Sequence, residues 1–199
     1  MKRYFIGIVL SAVLIAVFSG ASAEPSGGAL SKAEVDRYIG ILEESLPVEW
    51  EERDEFIARM RAWGESDDGQ PFYMLNLMRL FDEIQPIPGA PATMTPMEAN
   101  AHYEEVVGPI LASLSAYPVF VGDTMQTSSS QKKSNLIVFK SELDRWDRVL
   151  IIFYPQRRAF FELTTNPEYL KVMPYKMGSL DVVLTPLSGG LIAPPTPAQ

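Results

Sequence analysis

The sequence predicts an α+β domain built on a four-stranded antiparallel sheet, and three observations lead there. Four apolar segments of strand length, at 72–80, 117–123, 148–154 and 180–186, are rich in β-branched and aromatic residues. Apolar residues at helical spacing fill the intervals after the first and the third of these segments. The resulting order is strand, helix, strand, then strand, helix, strand.

Taken in order, the chain opens with Lys2 and Arg3, an apolar run from Phe5 to Phe18, and Ala21-Ser22-Ala23 before Glu24. A positive start, a short apolar core and an A-x-A site predict a secretory signal peptide over 1–23. An uncleaved anchor is the alternative, although the run is short for a bilayer. Cleavage after Ala23 removes Lys2 and Arg3 and takes the formal charge from −8 to −10. An acidic chain of this kind is a poor partner for nucleic acid, whose phosphates call for a basic surface. The absence of cysteine excludes disulfides, thiolate zinc sites, a cysteine nucleophile and a thiol-linked lipid. The mature protein is therefore expected to be exported, periplasmic or secreted, with no membrane attachment after cleavage.

Residues 24–69 read as an N-terminal helical extension. Ser31 and Glu34 fit a capping box, and Val35, Tyr38, Ile39, Leu42 and Leu46 follow at helical spacing until Pro47. A second helix is expected from Val48 to Trp63, closed by Gly64. Its acidic residues, Glu49 to Glu55, read as a solvated face near a helix start rather than a metal site. The main domain is expected over 70–187. After the turn cluster at 66–71, Phe72–Leu80 is a largely apolar strand interrupted by Asn76 and Arg79, which alternation puts on opposite faces. Thr95-Pro96-Met97-Glu98 caps a helix carrying Tyr103, Val107 and Leu111. Tyr117–Asp123 is the second strand, 128–134 a polar break, and 135–140 a short edge segment. Arg148–Tyr154 is read as a buried strand. The next helix bears Ala159, Phe160 and Leu163, breaks at Asn166-Pro167, and resumes with Tyr169, Leu170, Val172 and Met173. Leu180–Pro186 is the fourth strand, and the Gly/Pro-rich tail over 188–199 is expected to be disordered.

This split βαβ order is that of a ferredoxin-like βαββαβ domain, in which two helices cover one face of the sheet. The strands carry few polar residues for the other face, and apolar surface of that size points to a face-to-face homodimer. The runs WDRVLIIFYP, RRAFFEL, NPEY and GSLDVVL, together with FYMLNLMRL and HYEEVVGPIL, resemble the domain-of-unknown-function 1330 family over Pro71 to Leu187. The resemblance implies a dimeric α+β barrel and no settled reaction. Where such proteins often carry a His-Arg pair after N-P-E-Y, this chain has Tyr175-Lys176.

His102 is the single histidine, so a Ser-His-Asp triad would have to use it, and no G-x-S-x-G elbow is present. With Tyr103 beside it, His102 is the candidate for a lone base or pocket donor; a partly exposed helix histidine is the plainer reading. Asn76 and Arg79, polar within an apolar strand, are either structural bridges or ligand contacts. Tyr154 and Tyr169, with other tyrosines, either line a cleft between helices and sheet or form plain core. Asp147 and Glu168 read as structural caps. No metal set, phosphate loop or dinucleotide fingerprint is present, and no cofactor is expected. The leading expectation is a dimer that binds a small apolar molecule between sheet and helices. The resemblance also admits a cofactor-independent oxygenase or isomerase as an alternative, and a non-catalytic dimeric interaction module is the other.

Overall fold

The computed structural model describes residues 27–125 and 145–190. The expected leader at 1–23, the edge segment at 135–140 and most of the tail lie outside the described residues. The capping box forms: Glu34 N–H donates to Ser31 Oγ at 3.3 Å, and Ser31 N–H donates to the Glu34 carboxylate at 2.9 Å. It opens helix α1, Lys32–Ser45.

Helix α2, Arg53–Glu65, departs from expectation at both ends. Residues 47–52 form tight turns, with Trp50 N–H donating to Pro47 O and Arg53 N–H to Trp50 O, so the helix starts at Arg53 rather than Val48. It also runs through Gly64. A Cβ on Gly64 would lie 2.9 Å from Cζ of the buried Phe161 ring, so the glycine permits a close approach and does not cap the helix.

The remaining elements follow the predicted order: strand β1 Phe72–Leu80, helix α3 Pro96–Ser113, strand β2 Tyr117–Asp123, strand β3 Arg148–Tyr154, helix α4 Arg157–Thr164, helix α5 Pro167–Ser179 and strand β4 Leu180–Leu187. A second capping box, between Thr95 and Glu98, starts α3. The strands form one antiparallel sheet in the order β2-β3-β1-β4, so the fold is α+β.

Register and alternation sort the side chains. Phe72, Met74, Asn76 and Met78 on β1 pair with Tyr154, Ile152, Leu150 and Arg148 on β3, and this face is the more buried one, beneath the helices. Tyr73, Leu75 and Leu77 pair with Phe153, Ile151 and Val149 on the other face. Tyr117, Phe120, Val183 and Leu187 of the flanking strands share that second face and are exposed. β3 is thus less buried than its sequence suggests, because no element among the described residues covers this side of it.

The extension is fastened to the main domain by aromatic rings and by ion pairs from Arg157 and Arg158. Trp63 lies edge-on to Phe72 at 5.1 Å and to Phe160 at 5.5 Å, and Tyr38 stacks on Phe161 at 5.4 Å. Arg158 hydrogen-bonds Glu34, and Arg157 Nε lies 3.5 Å from the buried carboxylate of Asp67, which also accepts from Leu30 N–H at 2.8 Å. The Arg158 hydrogen bond, helped by Ser31, draws the Glu34 carboxyl down to about 2.

Candidate functional site

Helices α3 and α5 lie against each other over the covered face of the sheet and bring a polar group together there. Asn76 is buried in the middle of β1, and its amide donates to Met74 O at 3.1 Å and Leu150 O at 3.3 Å. These bonds satisfy the donors of the amide from strand backbone, which accounts for a buried asparagine structurally. Above the same face, Asn100 is buried on α3 and donates to Glu104 at 2.8 Å. Arg148 reaches up from β3, with Nη1 3.5 Å from Glu104 and Nε donating to Asp123 at 2.7 Å.

Lys176 completes the group from the last turn of α5. Its Nζ lies 5.1 Å from the centre of the Tyr103 ring, within cation–π range. Burial pushes the ammonium down to about 8, against the opposing pull of the Glu104 charge. Among the described residues no carboxylate lies within ion-pair distance of this amine, because Glu104 is engaged by Asn100 and Arg148. The Tyr103 and Tyr169 rings meet edge-on at 5.9 Å. Burial raises the pKa of Tyr103, Tyr169 and Tyr154, so all three stay protonated over the ordinary pH range.

Tyr103, Tyr154, Tyr169 and Asn76 share the covered side of the sheet. Tyr154 is mainly a packing residue, its ring stacked on Phe72 at 5.1 Å. His102 is partly buried, with its ring centre 4.9 Å from that of Tyr175 on α5. Arg79 does not belong with them. It lies on the opposite face and pairs with Asp181 across β1 and β4 at 2.6 Å, so its role is a cross-strand bridge. Asp147 is structural as well, accepting from Leu80 N–H at 2.8 Å.

Sequence reasoning passed over Asn100, Glu104, Arg148 and Lys176 as members of a site. One signal was available: Tyr169 and Lys176 are two helical turns apart and share a face, which places a lysine on an otherwise apolar stripe. Among the described residues no three His, Asp or Glu side chains gather to hold a metal, and no helix is long and apolar enough to cross a membrane.

Two clefts lie away from this group. One of about 770 Å³ runs along the loop from Asp82 to Pro96, and one of about 560 Å³ lies between α1 and α2. The 82–96 loop packs on the end of α5. Gln85 N–H donates to Gly178 O at 2.8 Å, and a Cβ on Gly178 would fall 2.8 Å from that of Ala90.

A solved relative shares this architecture. The crystal structure of RPA0582, a protein of unknown function from Rhodopseudomonas palustris, superposes with a TM-score of 0.55 at 26% identity, covering 74% of this chain and 98% of that one. The methylated form of RPA0582 gives a TM-score of 0.54 at 26% identity, over 78% of this chain and 97% of its own. No family model matches the chain. No curated protein matches it either.

Proposed function

We propose that this chain is an exported ferredoxin-like domain that works as a homodimer and binds a small, mainly apolar molecule under α3 and α5. The strand order β2-β3-β1-β4, with a helical connection after β1 and another after β3, supports the ferredoxin-like assignment. The row Tyr117, Phe153, Tyr73 on the uncovered face, with ring centres 5.1 and 5.5 Å apart, supports pairing of two sheets into a dimeric α+β barrel. The resemblance to the domain-of-unknown-function 1330 family, carried by the runs quoted above, agrees with both.

One observation carries the binding reading. A lysine amine is held among tyrosines, beneath two helices, without a carboxylate of its own among the described residues. A partly buried amine, poorly solvated in this way, costs stability that an apolar side chain in its place would not, and such costs are kept where a site needs the group. Neither cleft described above opens onto Lys176. Pro174, two residues before Lys176, leaves α5 without one backbone hydrogen bond at that point.

The interaction-module reading has less support. A module that docked a partner on the N-terminal helices would need apolar surface there, whereas Val35, Tyr38, Ile39, Leu42, Ile57 and Met60 are all buried. Native mass spectrometry of the protein recovered from its own host tests the proposal. A dimer carrying an additional small mass is expected. A ligand-free dimer overturns the binding reading, and a monomer overturns the barrel.

A further inference from the structure

The loop between β1 and α3 is rich in proline and tied to the end of α5. Phe81 N–H donates to Ser179 O at 3.0 Å, beside the bond from Gln85 to Gly178. Ile87-Pro88-Gly89-Ala90 forms a type II turn, in which Ala90 N–H donates to Ile87 O at 3.1 Å. Gly89 has φ +81°, a conformation that glycine adopts without strain. The loop meets α5 too closely for larger residues at two points. A Cβ on Gly89 would lie 3.1 Å from Pro174 Cγ, and the Gly178 contact with Ala90 is tighter still. Pro86, Pro88, Pro91 and Pro96 each fix a further φ. The cleft of about 770 Å³ along this loop is therefore preformed, and its size is that of a small-molecule site.

Its lining carries charge of one sign. Ile84, Ile87, Ala92 and Met94 make it apolar, and Asp82 and Glu83 add two carboxylates. No lysine or arginine among the described residues lines it. Glu83 holds no ion pair among the described residues. Thr95 and Pro96 bring the N-terminus of α3 to the cleft, and a helix N-terminus by itself favours an anion. Glu98 already meets that end, accepting from Thr95 N–H and from Thr95 Oγ, each at 2.8 Å. The charge left around the apolar lining is negative, on a chain of formal charge −8.

We propose that the cleft along 82–96 binds a small apolar ammonium ion. Its hydrocarbon part lies on Ile84, Ile87 and Met94, and its cation stands beside Glu83. This site is separate from the one under α3 and α5, and neither depends on the other. Glu83 is exposed, so it contributes selectivity for the cation more than strength of binding.

Amide NMR of the isotope-labelled full chain at low salt tests this with three probes of one shape: benzylamine, benzyl alcohol and benzoate. At pH 7 these carry positive, zero and negative charge. Benzylamine is expected to bind in the millimolar range and to shift the amides of Glu83, Ile87 and Ala92, with the alcohol weaker and benzoate weaker again. Glu83→Gln should weaken the amine about threefold and leave the alcohol unchanged. Added salt should weaken the amine alone. Ala92→Trp, at an exposed position of the lining, should block both amine and alcohol with the rest of the spectrum retained. No shift in the loop amides at millimolar benzylamine overturns the site. Alcohol or benzoate binding as tightly as the amine, or an amine indifferent to Glu83→Gln, overturns recognition of a cation. Shifts confined to the amides around Tyr103 and Lys176 place the amine under the helices instead and overturn the loop cleft while leaving the other site standing.

Discussion

At the scale of single residues, Lys176 is the informative one, and its protonation has a thermodynamic consequence. Its pKa falls from an ordinary 10.5 to about 8 in the folded chain. Between those two values the unfolded chain holds more protons than the folded one, so stability rises as pH climbs from about 8 towards 10.5. Below about 8 the lysine has to be charged while buried, and its cost is greatest there. Lys176→Met should therefore stabilise the fold at pH 7 by about 1 kcal/mol, seen as a higher melting temperature. The advantage should shrink towards zero by pH 10. Thermal melts of both proteins across that range check it, and a gain independent of pH would show that the lysine is not the cause. The candidate site was only half legible at this scale. Tyr103, Tyr169 and Asn76 announced themselves as polar groups on apolar elements. Glu104 and Arg148 looked like ordinary surface charges, because their pairing depends on where α3 crosses β3. Arg79 misled for the converse reason: its partner Asp181 lies 102 positions away, across a strand pair that no local pattern reveals.

At the scale of elements, the described strands and helices were legible in type and mostly in extent, because apolar periodicity and the capping boxes at Ser31 and Thr95 are local signals. The α2 end was misjudged for a physical reason. Glycine after an apolar stripe reads as a helix stop, but Gly64 is inside α2 because Phe161 of α4 presses on it. That contact comes from packing, and no window of sequence around Gly64 contains it. Gly64→Ala improves helix propensity by about 1 kcal/mol and at the same time forces a methyl against a buried ring. The clash should win, for a net loss of roughly 1–2 kcal/mol in urea unfolding. A stabilised variant would mean that α2 shifts freely on α4 and that the aromatic cluster does not fix the extension.

At the scale of the whole molecule, the described residues cover one face of the sheet and leave the other open, and an apolar second face was anticipated from the scarcity of polar residues in the strands. Leu75 and Ile151 face each other near its centre. Leu75→Glu should place a carboxylate in the proposed interface of both protomers and halve the mass seen in sedimentation, with the far-ultraviolet circular dichroism retained. A variant that still sediments as a dimer would move the interface elsewhere. The strand order has a further consequence for the timing of folding. β1 comes first in the chain yet lies inside the sheet, between β3 and β4. Asn76 finds Leu150 across 74 positions, and Leu80 finds Leu180 across more. As the chain leaves the ribosome, β1 emerges as an apolar ribbon with both edges bare, and it stays so until most of the protein has been made. Such late, long-range closure makes for slow folding and long exposure to aggregation. A chain stopped before Leu180 leaves one side of β1 permanently open, so this protein depends on its last strand for solubility as much as for shape.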